Sequence, residues 1–444
     1  MADWLDTLSD FLVGFRFETL GAATQEQTAY VILDTMGAIA GGMAEPEMQK
    51  LGTNMTGGMS GACSIVGTGR ATVSAAAAFL NGTAGTFLEM DEGNRFAKGH
   101  PSVHCLPALW AAAEMRGLSG KTVMEALVLG YEVGARIGIA AALRPSMHPH
   151  GTWGTVGAAA SLAKLLGYDA AKMRETINVA SSLTLASSKR TMLEGGTVRN
   201  AYAGISNRMG LMAIDLIEAG FIGERDGVAS VFGHVVSDTF DSAKMIEGLG
   251  RDWQIDKNYF KLHSCCRYNH GALDALDQLL ARQKIVPDAI ERIDVASYLY
   301  AAELHDQAPR NTLAGKFSVP FAVATRLVRG SSRVENFTWD AVRDEKVQAF
   351  AKRVFVTEDK AMTAKLPQFR PARIDVRLHD GRTLSAAVEA NRGDDQDPYS
   401  RDELTGKFFS LAERVWSHEV ADGVRTKLLA LSSVADVRSV LQQQ

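Results

Sequence analysis

The side chains best suited to proton transfer are concentrated in one short run of the chain. Within residues 89–104 this run contains three carboxylates, two cations and two imidazoles: Glu89, Asp91, Glu92, Arg95, Lys98, His100 and His104. It interrupts a region built mainly from Ala, Gly, Leu and Val, where polar groups are costly unless they face water or a pocket. A carboxylate beside an imidazole is an acid/base pair, because histidine titrates near neutral pH. Since Gly99 and Pro101 fix the backbone around His100, we expect a pocket rather than a solvated loop.

A second group of imidazoles precedes an alanine-rich segment. His148 and His150 flank Pro149 directly before residues 154–167, which are predicted to form a helix. Backbone N–H groups at a helix start favour anions, so we expect both histidines near a bound anion. The alternatives are an exposed pair at a helix entry, or metal ligation. The carboxylate spacing of known metal motifs is absent, so the sequence predicts no metal site.

Basic side chains that could bind carboxylates occur in two further segments. Lys189 and Arg199 flank a Gly-Gly loop, and the planar fork of arginine donors matches a carboxylate. Lys261 begins the segment KLHSCCRYNH, in which a neighbouring histidine could activate a cysteine nucleophile. Adjacent cysteines are more often buried small residues. We therefore predict that Lys261, rather than a thiolate, contacts the substrate or moves a proton.

Composition argues against several classes of partner. The 444 residues carry a net charge of −4, so no global basic field attracts nucleic acid. No apolar run approaches the ~18 residues that span a bilayer, and the acidic N-terminus lacks the basic start of a secretion signal. The four cysteines show neither a disulfide ladder nor zinc spacing, which indicates a reduced, cytoplasmic protein. Phosphate-binding loops and nicotinamide, flavin or pyridoxal motifs are also absent, so we predict chemistry without a cofactor.

The elements that must position these side chains change character along the chain. Up to about residue 260 the pattern is helical, for example over residues 24–40, with Gly41-Gly42 as the expected end of that helix. Residues 290–300 predict a strand, and residues 372–388 predict two strands joined by a two-residue turn at Asp380-Gly381. Ser400 begins a capping-box pattern, after which the chain is helical again.

The predicted fold is therefore mostly α: a large all-helical domain with an inserted smaller α/β (α+β) domain. The helical domain comprises residues 1–265 plus 400–444, and the inserted domain comprises residues 266–399. A chain of this length is enough for two domains.

Taken in order, the motifs of this chain resemble those of the MmgE/PrpD family over most of its length. They are LDTMGAIAGG (33–42), NGT…LEMDE…GHPS (81–102), GYEVGARIG (130–138), HPHGTWGTVGAAASLAKLLG (148–167), GTVRNAYAG (196–204), KLHSCCRYNH (261–270) and KFSVPFAVA (316–324). The family includes 2-methylcitrate dehydratase, cis-aconitate decarboxylase and iminodisuccinate epimerase. The resemblance implies a helical domain with a smaller α/β domain, a homodimer, and cofactor-free chemistry on small di- or tricarboxylates.

The resemblance also assigns residues to family positions. His100 matches the histidine of GHPS, His148 the histidine before GT-x-G, and Lys261 the lysine of K-P-Y-P-C-C-R-Y-T-H. Glu89 stands where the family usually has aspartate, and Arg199 stands where it usually has lysine, so the sign of each charge is kept.

Three departures from the family pattern lie in the expected pocket. The early histidine of the family is Thr86 here, and the tyrosine of F-S-x-x-Y is Phe321. One residue fewer separates Asp91 from His100. These changes put methylcitrate in doubt as the substrate.

From this resemblance we predict a lyase that acts on a small di- or tricarboxylate. Dehydration is the first choice, because it is the commonest reaction in the family. Epimerisation or decarboxylation of a related polycarboxylate is the alternative, and a non-catalytic, carboxylate-binding helical protein is a further one.

The three reactions share one difficulty, since each must stabilise carbanion-like or enolate-like charge beside a carboxylate. We expect Arg199 and Lys261 to bind the carboxylates of the substrate and to offset that charge. His100 would move the proton at carbon, Glu89 would orient or tune His100, and His148 would protonate a leaving hydroxyl. The other predicted substrate-binding residues are Lys189, His150 and Asp91.

Overall fold

The computed structural model describes residues 3–441, and helices dominate the chain up to about residue 260. The longer ones are Trp4–Gly14, Ala22–Met43, Pro46–Thr56, Ser74–Phe87, Pro101–Arg116, Gly120–Ala140, Gly154–Leu165, Ala170–Ser182 and Tyr202–Glu218. Short helical turns connect them at Phe17–Thr19, Arg190–Leu193, Thr197–Ala201, Gly227–Ser230, Val231–Val235, Ser242–Met245 and Gln254–Lys257. Small two-stranded sheets pair Cys63–Ile65 with Arg70–Thr72, Gly93–Asn94 with Asn258–Tyr259, and Ala141–Leu143 with Ser237–Phe240. The mostly helical fold predicted from the sequence is confirmed.

Small residues let these helices approach one another closely. A Cβ atom added at Gly42 would lie 1.9 Å from the carbonyl oxygen of Ala84, so the helices Ala22–Met43 and Ser74–Phe87 touch backbone to backbone. This contact explains why the first helix does not end at its Gly-Gly pair, as the sequence suggested, but continues to Met43. The glycine here serves close approach rather than helix termination.

Beyond residue 262 the chain forms a four-stranded sheet that is covered by helices. In spatial order the strands are Thr383–Val388, Ala372–Leu378, Ile290–Ser297 and Val354–Glu358, and the last two pair in parallel. The accompanying helices are His270–Arg282, Leu299–Ala302, Thr312–Lys316, Val319–Val328, Trp339–Arg343, Glu345–Ala351 and Lys360–Thr363, with single turns at Arg267–Asn269, Pro287–Ala289 and Val334–Asn336. Apolar side chains of the sheet and of these helices form one core.

The predicted hairpin at residues 372–388 is present, but its turn differs from the prediction. The amide of Leu378 donates to the carbonyl of Arg382, so three residues rather than two close the turn. Gly381 occupies the last of these positions with a φ of 88°. A left-handed residue at that position is typical of three-residue hairpins, which explains the extra residue.

The C-terminal helices return to the helical region of the chain. Ser400 and Glu403 form the predicted capping box at the start of the helix Arg401–Ala412. The helices His418–Leu429 and Arg438–Leu441 follow, with a turn at Leu431–Ser433 between them.

Two large apolar cores result from this arrangement within residues 3–441. Side chains between residues 399 and 441 join the core of the N-terminal helices, whereas the second core is built from residues 265–388 together with Met192. The predicted domain boundaries, and the description of the second unit as an insertion, stay predictions. Within residues 3–441, none of the helices is both long and apolar enough to cross a membrane.

Candidate active site

One pocket lies where the acid/imidazole run meets the start of the second core. Its empty volume is about 880 Å³, part of which is open to solvent. Six of the eight predicted site residues line it: Glu89, His100, His148, His150, Lys189 and Arg199. The other two, Asp91 and Lys261, are 0% exposed and lie directly behind this lining.

Backbone features on both sides hold the acid/imidazole run in place. The strand Gly93–Asn94 pairs with Asn258–Tyr259, which brings the segment that carries Lys261 beside the run. Glu89 has a φ of 55°, a left-handed conformation that is uncommon outside glycine. His100 directly precedes the next helix, whose first residue is a proline. A proline at that position favours helix initiation and so fixes where the imidazole lies.

The Nδ1 nitrogen of His100 faces two acceptors. It lies 2.5 Å from the carbonyl oxygen of Glu92 and 3.1 Å from Oδ2 of Asp91, so Nδ1 carries the proton and donates it. The lone pair therefore lies on Nε2, which no residue between 3 and 441 engages in a hydrogen bond. Burial lowers the pKa of His100 well below its ordinary value, and the nearby ammonium of Lys261 lowers it further. In the free protein His100 is thus a neutral imidazole with a basic Nε2.

His148 has the opposite tautomer. Its Nδ1 accepts a hydrogen bond from the backbone N–H of His150 (3.0 Å), so its proton lies on Nε2. The Nε2 atoms of His148 and His150 are buried, and neither atom has a hydrogen-bond partner in the described part of the chain. Burial, followed by the charge of Arg199, lowers the pKa of each well below the ordinary value. The pocket wall therefore offers a neutral donor at His148 and a neutral base at His100.

A fourth imidazole, that of His104, contacts His150. Nε2 of His104 lies 2.7 Å from Nδ1 of His150, and burial lowers the pKa of His104 to about 3. His150 in turn stacks on His100, with ring centroids 4.7 Å apart and planes 13° from parallel. His104 thereby positions His150 and, through the stack, His100. The sequence placed His104 in the polar run without a role, because spacing along one helix does not show which distant residue it meets.

Glu89 binds the two cations that were expected to bind substrate carboxylates. Its carboxylate forms an ion pair with Arg199 and lies 3.5 Å from Nζ of Lys261. Asp91 lies 3.4 Å from the same Nζ and is the carboxylate that touches His100. The structure thus places Asp91, rather than Glu89, where a carboxylate can orient the imidazole. The charge of Glu89 raises the pKa of His100 against the effect of burial, so the tuning of His100 by Glu89 that the sequence suggested stays a prediction.

The positive and negative charges of this network balance one another. Burial opposes the charge of Lys261, but Asp91 and Glu89 raise the pKa of this lysine above its ordinary value. Two carboxylates therefore face two cations, Lys261 and Arg199, in the free protein. An anionic substrate must compete with Glu89 for Arg199 instead of meeting an unpaired guanidinium.

Lys189 lies at the edge of the pocket. Its ammonium forms an ion pair with Glu303 and lies 5.1 Å from the centre of the Tyr300 ring. The substrate-binding role assigned to Lys189 from the sequence stays a prediction.

The cysteines beside the pocket are poorly suited to nucleophilic catalysis. Cys265 and Cys266 are both buried, and burial raises the pKa of the Cys266 thiol to about 11. Since the thiolate is the nucleophilic form, a thiol of this kind is unreactive near neutral pH. This agrees with the expectation that a thiolate plays no part in the chemistry.

One cluster in the site has the spacing of metal ligands. Asp91, His100 and His150 place ligand atoms within 4.8 Å of one another. The Lys261 ammonium, 3.4 Å from Asp91, would repel a cation at that point. Nδ1 of His100 is also occupied by the Glu92 carbonyl (2.5 Å). The arrangement therefore suits proton transfer better than metal binding.

Several groups in the pocket wall were given no role from the sequence. They are Lys98, Arg144, Tyr259, Tyr268, Tyr300 and Arg370. Arg370 is the clearest case, since it is buried, whereas Arg373 and Arg377 nearby in the sequence are exposed. Burial of Arg370 depends on contacts with distant segments, which the local sequence does not show.

Glu92 is a carboxylic acid rather than a carboxylate near neutral pH. Its oxygens accept hydrogen bonds from the Ser102 amide (2.8 Å) and from the Tyr131 hydroxyl (3.0 Å). Burial nevertheless raises the pKa of Glu92 to about 8. The folded protein therefore holds a proton that the unfolded chain releases at much lower pH.

A Glu92→Gln variant should gain stability relative to the wild type as pH rises from about 4.5 to 8. The unfolded chain ionises Glu92 above pH 4.5, whereas the folded protein keeps it protonated up to about pH 8. The wild type therefore loses stability across this window, and a neutral amide does not. The difference in unfolding free energy should reach about 3–5 kcal/mol and level off above pH 8.

Urea denaturation at several pH values measures this difference. The exposed Glu224→Gln variant is the matched control and should differ from the wild type by the same amount at every pH. A pH-independent difference for Glu92→Gln would show that Glu92 is ionised in the folded protein.

Comparison with known proteins covers nearly the whole chain. The family model of the MmgE/PrpD N-terminal domain matches residues 6–241, and that of the MmgE/PrpD C-terminal domain matches residues 263–428. The cis-aconitate decarboxylase-like protein oryM of Aspergillus oryzae is 27% identical over 413 residues, covering 86% of this chain and 84% of the relative. The cis-aconitate decarboxylase of Aspergillus terreus is 25% identical over 450 residues, covering 94% and 91%. The cis-aconitate decarboxylase of Homo sapiens is 25% identical over 366 residues, covering 78% and 74%.

Proposed function

The chain belongs to the MmgE/PrpD family, and on that premise we propose that it is a lyase that decarboxylates a small tricarboxylate of the cis-aconitate class without a cofactor. Similar proteins bear the name cis-aconitate decarboxylase, which supports cleavage of a C–C bond over the dehydration favoured from the sequence. Dehydration and epimerisation stay predictions, since no contact in the pocket specifically favours either. A homodimer is likewise a prediction that rests on the family.

The observation that carries this proposal is the pair of imidazoles with opposite tautomers in one pocket. Nε2 of His100 is a base that can accept a proton, and Nε2–H of His148 is a donor without a partner in residues 3–441. Arg199 lines the same pocket. A base, a neutral hydrogen-bond donor and a guanidinium are together suited to a substrate with several carboxylates.

Decarboxylation of such a substrate requires a proton at carbon. The bond between the departing carboxylate and the carbon skeleton breaks, and its electron pair forms a new C=C bond. The electron pair of the original C=C bond moves to the next carbon, which takes up a proton. A trianionic substrate and one proton thus give carbon dioxide and a dianionic product.

We assign the proton at carbon to His100. Three negative charges beside the buried imidazole raise its pKa from the low value of the free protein, so Nε2 takes up a proton as the substrate binds. Asp91, 3.1 Å from Nδ1, stabilises the resulting imidazolium. Nε2 then delivers the proton to carbon, and His100 returns to the neutral form of the free protein. His148 donates its Nε2–H to a substrate carboxylate and offsets the charge that develops there.

Incubation with cis-aconitate in D₂O should release carbon dioxide and give a dicarboxylate that carries one new deuterium. The deuterium is expected because the proton comes from an exchangeable imidazole. Proton NMR and mass spectrometry of the product measure both outcomes. Addition of water across the C=C bond without release of carbon dioxide would instead indicate a dehydratase acting in reverse, and deuterium exchange at a stereocentre of a chiral polycarboxylate without bond cleavage would indicate an epimerase. A panel of hydroxy-, methyl- and amino-polycarboxylates that shows neither exchange nor cleavage would leave a binding protein.

A further inference from the structure

Six cations line the active-site pocket, and four of them already have a carboxylate partner. The pairs are Arg199 with Glu89, Lys189 with Glu303, Arg267 with Asp394, and Arg144 with Asp238. The remaining two, Arg370 and Lys98, form no ion pair with any residue from 3 to 441. These two cations are therefore available to an anion without displacement of a protein carboxylate.

Arg370 is buried but incompletely satisfied. It is only 5% exposed, and its Nη2 donates to the carbonyl oxygen of Arg95 at 3.3 Å. Its Nη1 is buried and has no hydrogen-bond partner within the described chain. The guanidinium carbon lies 5.5 Å from the ring centres of both Tyr259 and Tyr268. The two aromatic rings stabilise the positive charge in part. A buried guanidinium with a free N–H donor is nevertheless costly unless a ligand accepts the remaining hydrogen bond.

The location of Arg370 connects it to the proposed proton donor. The Tyr259 ring that faces Arg370 also packs edge-on against His100, with ring centroids 6.1 Å apart. Lys98 precedes His100 by two residues and has a left-handed φ of 57°. Both cations also line an adjoining pocket, so they stand where that pocket meets the active site. One aromatic ring thus separates a free cation from the reacting centre.

We propose that Arg370, assisted by Lys98, binds the central carboxylate of the substrate, which is attached neither to the carbon that loses carbon dioxide nor to the carbon that takes up the proton, and so makes the site select tricarboxylates over dicarboxylates. This inference rests on the proposed function, in which Arg199 and His148 serve the other two carboxylates. A third carboxylate needs a receptor of its own. Arg370 supplies one, because a guanidinium can offer two parallel donors to a carboxylate.

Calorimetric binding of two unreactive acids tests the proposal without any turnover. Tricarballylate carries three carboxylates, and glutarate is the same chain without the central one. The wild type should bind tricarballylate at least about tenfold more tightly than glutarate, since one more charged contact forms. Arg370→Met should weaken tricarballylate about 10²-fold and glutarate by less than about threefold. Equal affinities for the two acids in the wild type, or equal weakening of both in the variant, would overturn the proposal.

Control variants separate a binding effect from a folding effect. Arg373→Met changes an arginine in the same segment whose side chain is 55% exposed, and it should leave both affinities unchanged. Should circular dichroism show that Arg370→Met does not fold, Lys98→Met replaces it, and the preference for tricarballylate should then fall at least about threefold. An unchanged preference in folded Lys98→Met would count against the proposal.

Failure of this inference and failure of the proposed function give different results. Suppose that Arg370→Met loses the preference for tricarballylate but the wild type releases no carbon dioxide from cis-aconitate. The binding role of Arg370 would then be supported, and the proposed reaction would be wrong. A protein that decarboxylates cis-aconitate with the same tricarballylate preference in both forms would retain the reaction and lose the role of Arg370.

Discussion

A His100→Asn variant is expected to lose about 10²–10⁴-fold in kcat for decarboxylation while it keeps its fold. The asparagine amide can still donate to the Glu92 carbonyl, which lies 2.5 Å from Nδ1 in the wild type. It has no counterpart of Nε2 and therefore cannot carry a proton to carbon. The loss should consequently appear in kcat even when the substrate is saturating.

Proton uptake on binding identifies the same residue independently of turnover. The pKa of His100 is low in the free protein, because burial and the Lys261 charge disfavour the imidazolium. A bound trianion reverses the sign of the local field, so the wild type should draw about one proton from the buffer as tricarballylate binds. Calorimetry in buffers of different ionisation enthalpy measures this number, and His100→Asn should reduce it to near zero.

The exposed His418→Asn variant is the matched control for both measurements and should behave like the wild type. Asp91→Asn tests positioning, since it removes the carboxylate 3.1 Å from Nδ1 but leaves the imidazole. It should lower kcat less than His100→Asn does and shift the pH dependence of kcat to lower pH. Undiminished kcat in folded His100→Asn would remove His100 from the mechanism.

The parts of the site that the sequence predicted are those whose signal is local. His100, beside a proline that starts a helix, and His148, before an alanine-rich helix, carried their structural context in the adjacent residues. The capping box at Ser400 was predicted for the same reason. Local backbone preferences depend on a few adjacent residues, so a short segment of sequence is enough to infer them.

The parts that were missed depend on contacts between distant segments. Glu89 and Asp91 are two residues apart, and only the fold shows that the second faces His100 and the first faces Arg199. Arg370 is another case, because its partners come from residues 95, 259 and 268. Which carboxylate meets which cation is decided by packing of whole elements, and one sequence carries no direct signal of that packing.

The loop that carries the acids is also tied to the C-terminal helices, which the sequence did not connect with the site. Nζ of Lys407 lies 2.5 Å from Oδ1 of Asp34 and donates to the carbonyl oxygen of Met90 at 2.5 Å. Met90 lies between the two acids of the active site. Burial raises the pKa of Asp34 and lowers the pKa of Lys407, so the charged pair is held against a desolvation cost.

Lys407→Met should reduce the unfolding free energy by about 3–5 kcal/mol, because it leaves Asp34 buried without a partner. The Asp34→Leu/Lys407→Met double variant should recover much of this loss, since removal of both charges also removes their desolvation cost. Urea denaturation measures the unfolding free energy of the wild type, of Lys407→Met and of the double variant. The control variant Lys50→Met, at an exposed lysine, should change this free energy by less than about 0.5 kcal/mol.

Activity of the double variant separates the two roles of Lys407. If the lysine only pairs with Asp34, the double variant should decarboxylate as well as the wild type once it is folded. We expect instead a kcat at least about tenfold lower, because the Met90 carbonyl loses its donor and the adjacent acids lose the alignment that holds His100. A wild-type kcat in a stable double variant would show that Lys407 contributes only to stability. A low kcat with wild-type stability would show that a helix from the end of the chain sets the geometry of the acid/imidazole run.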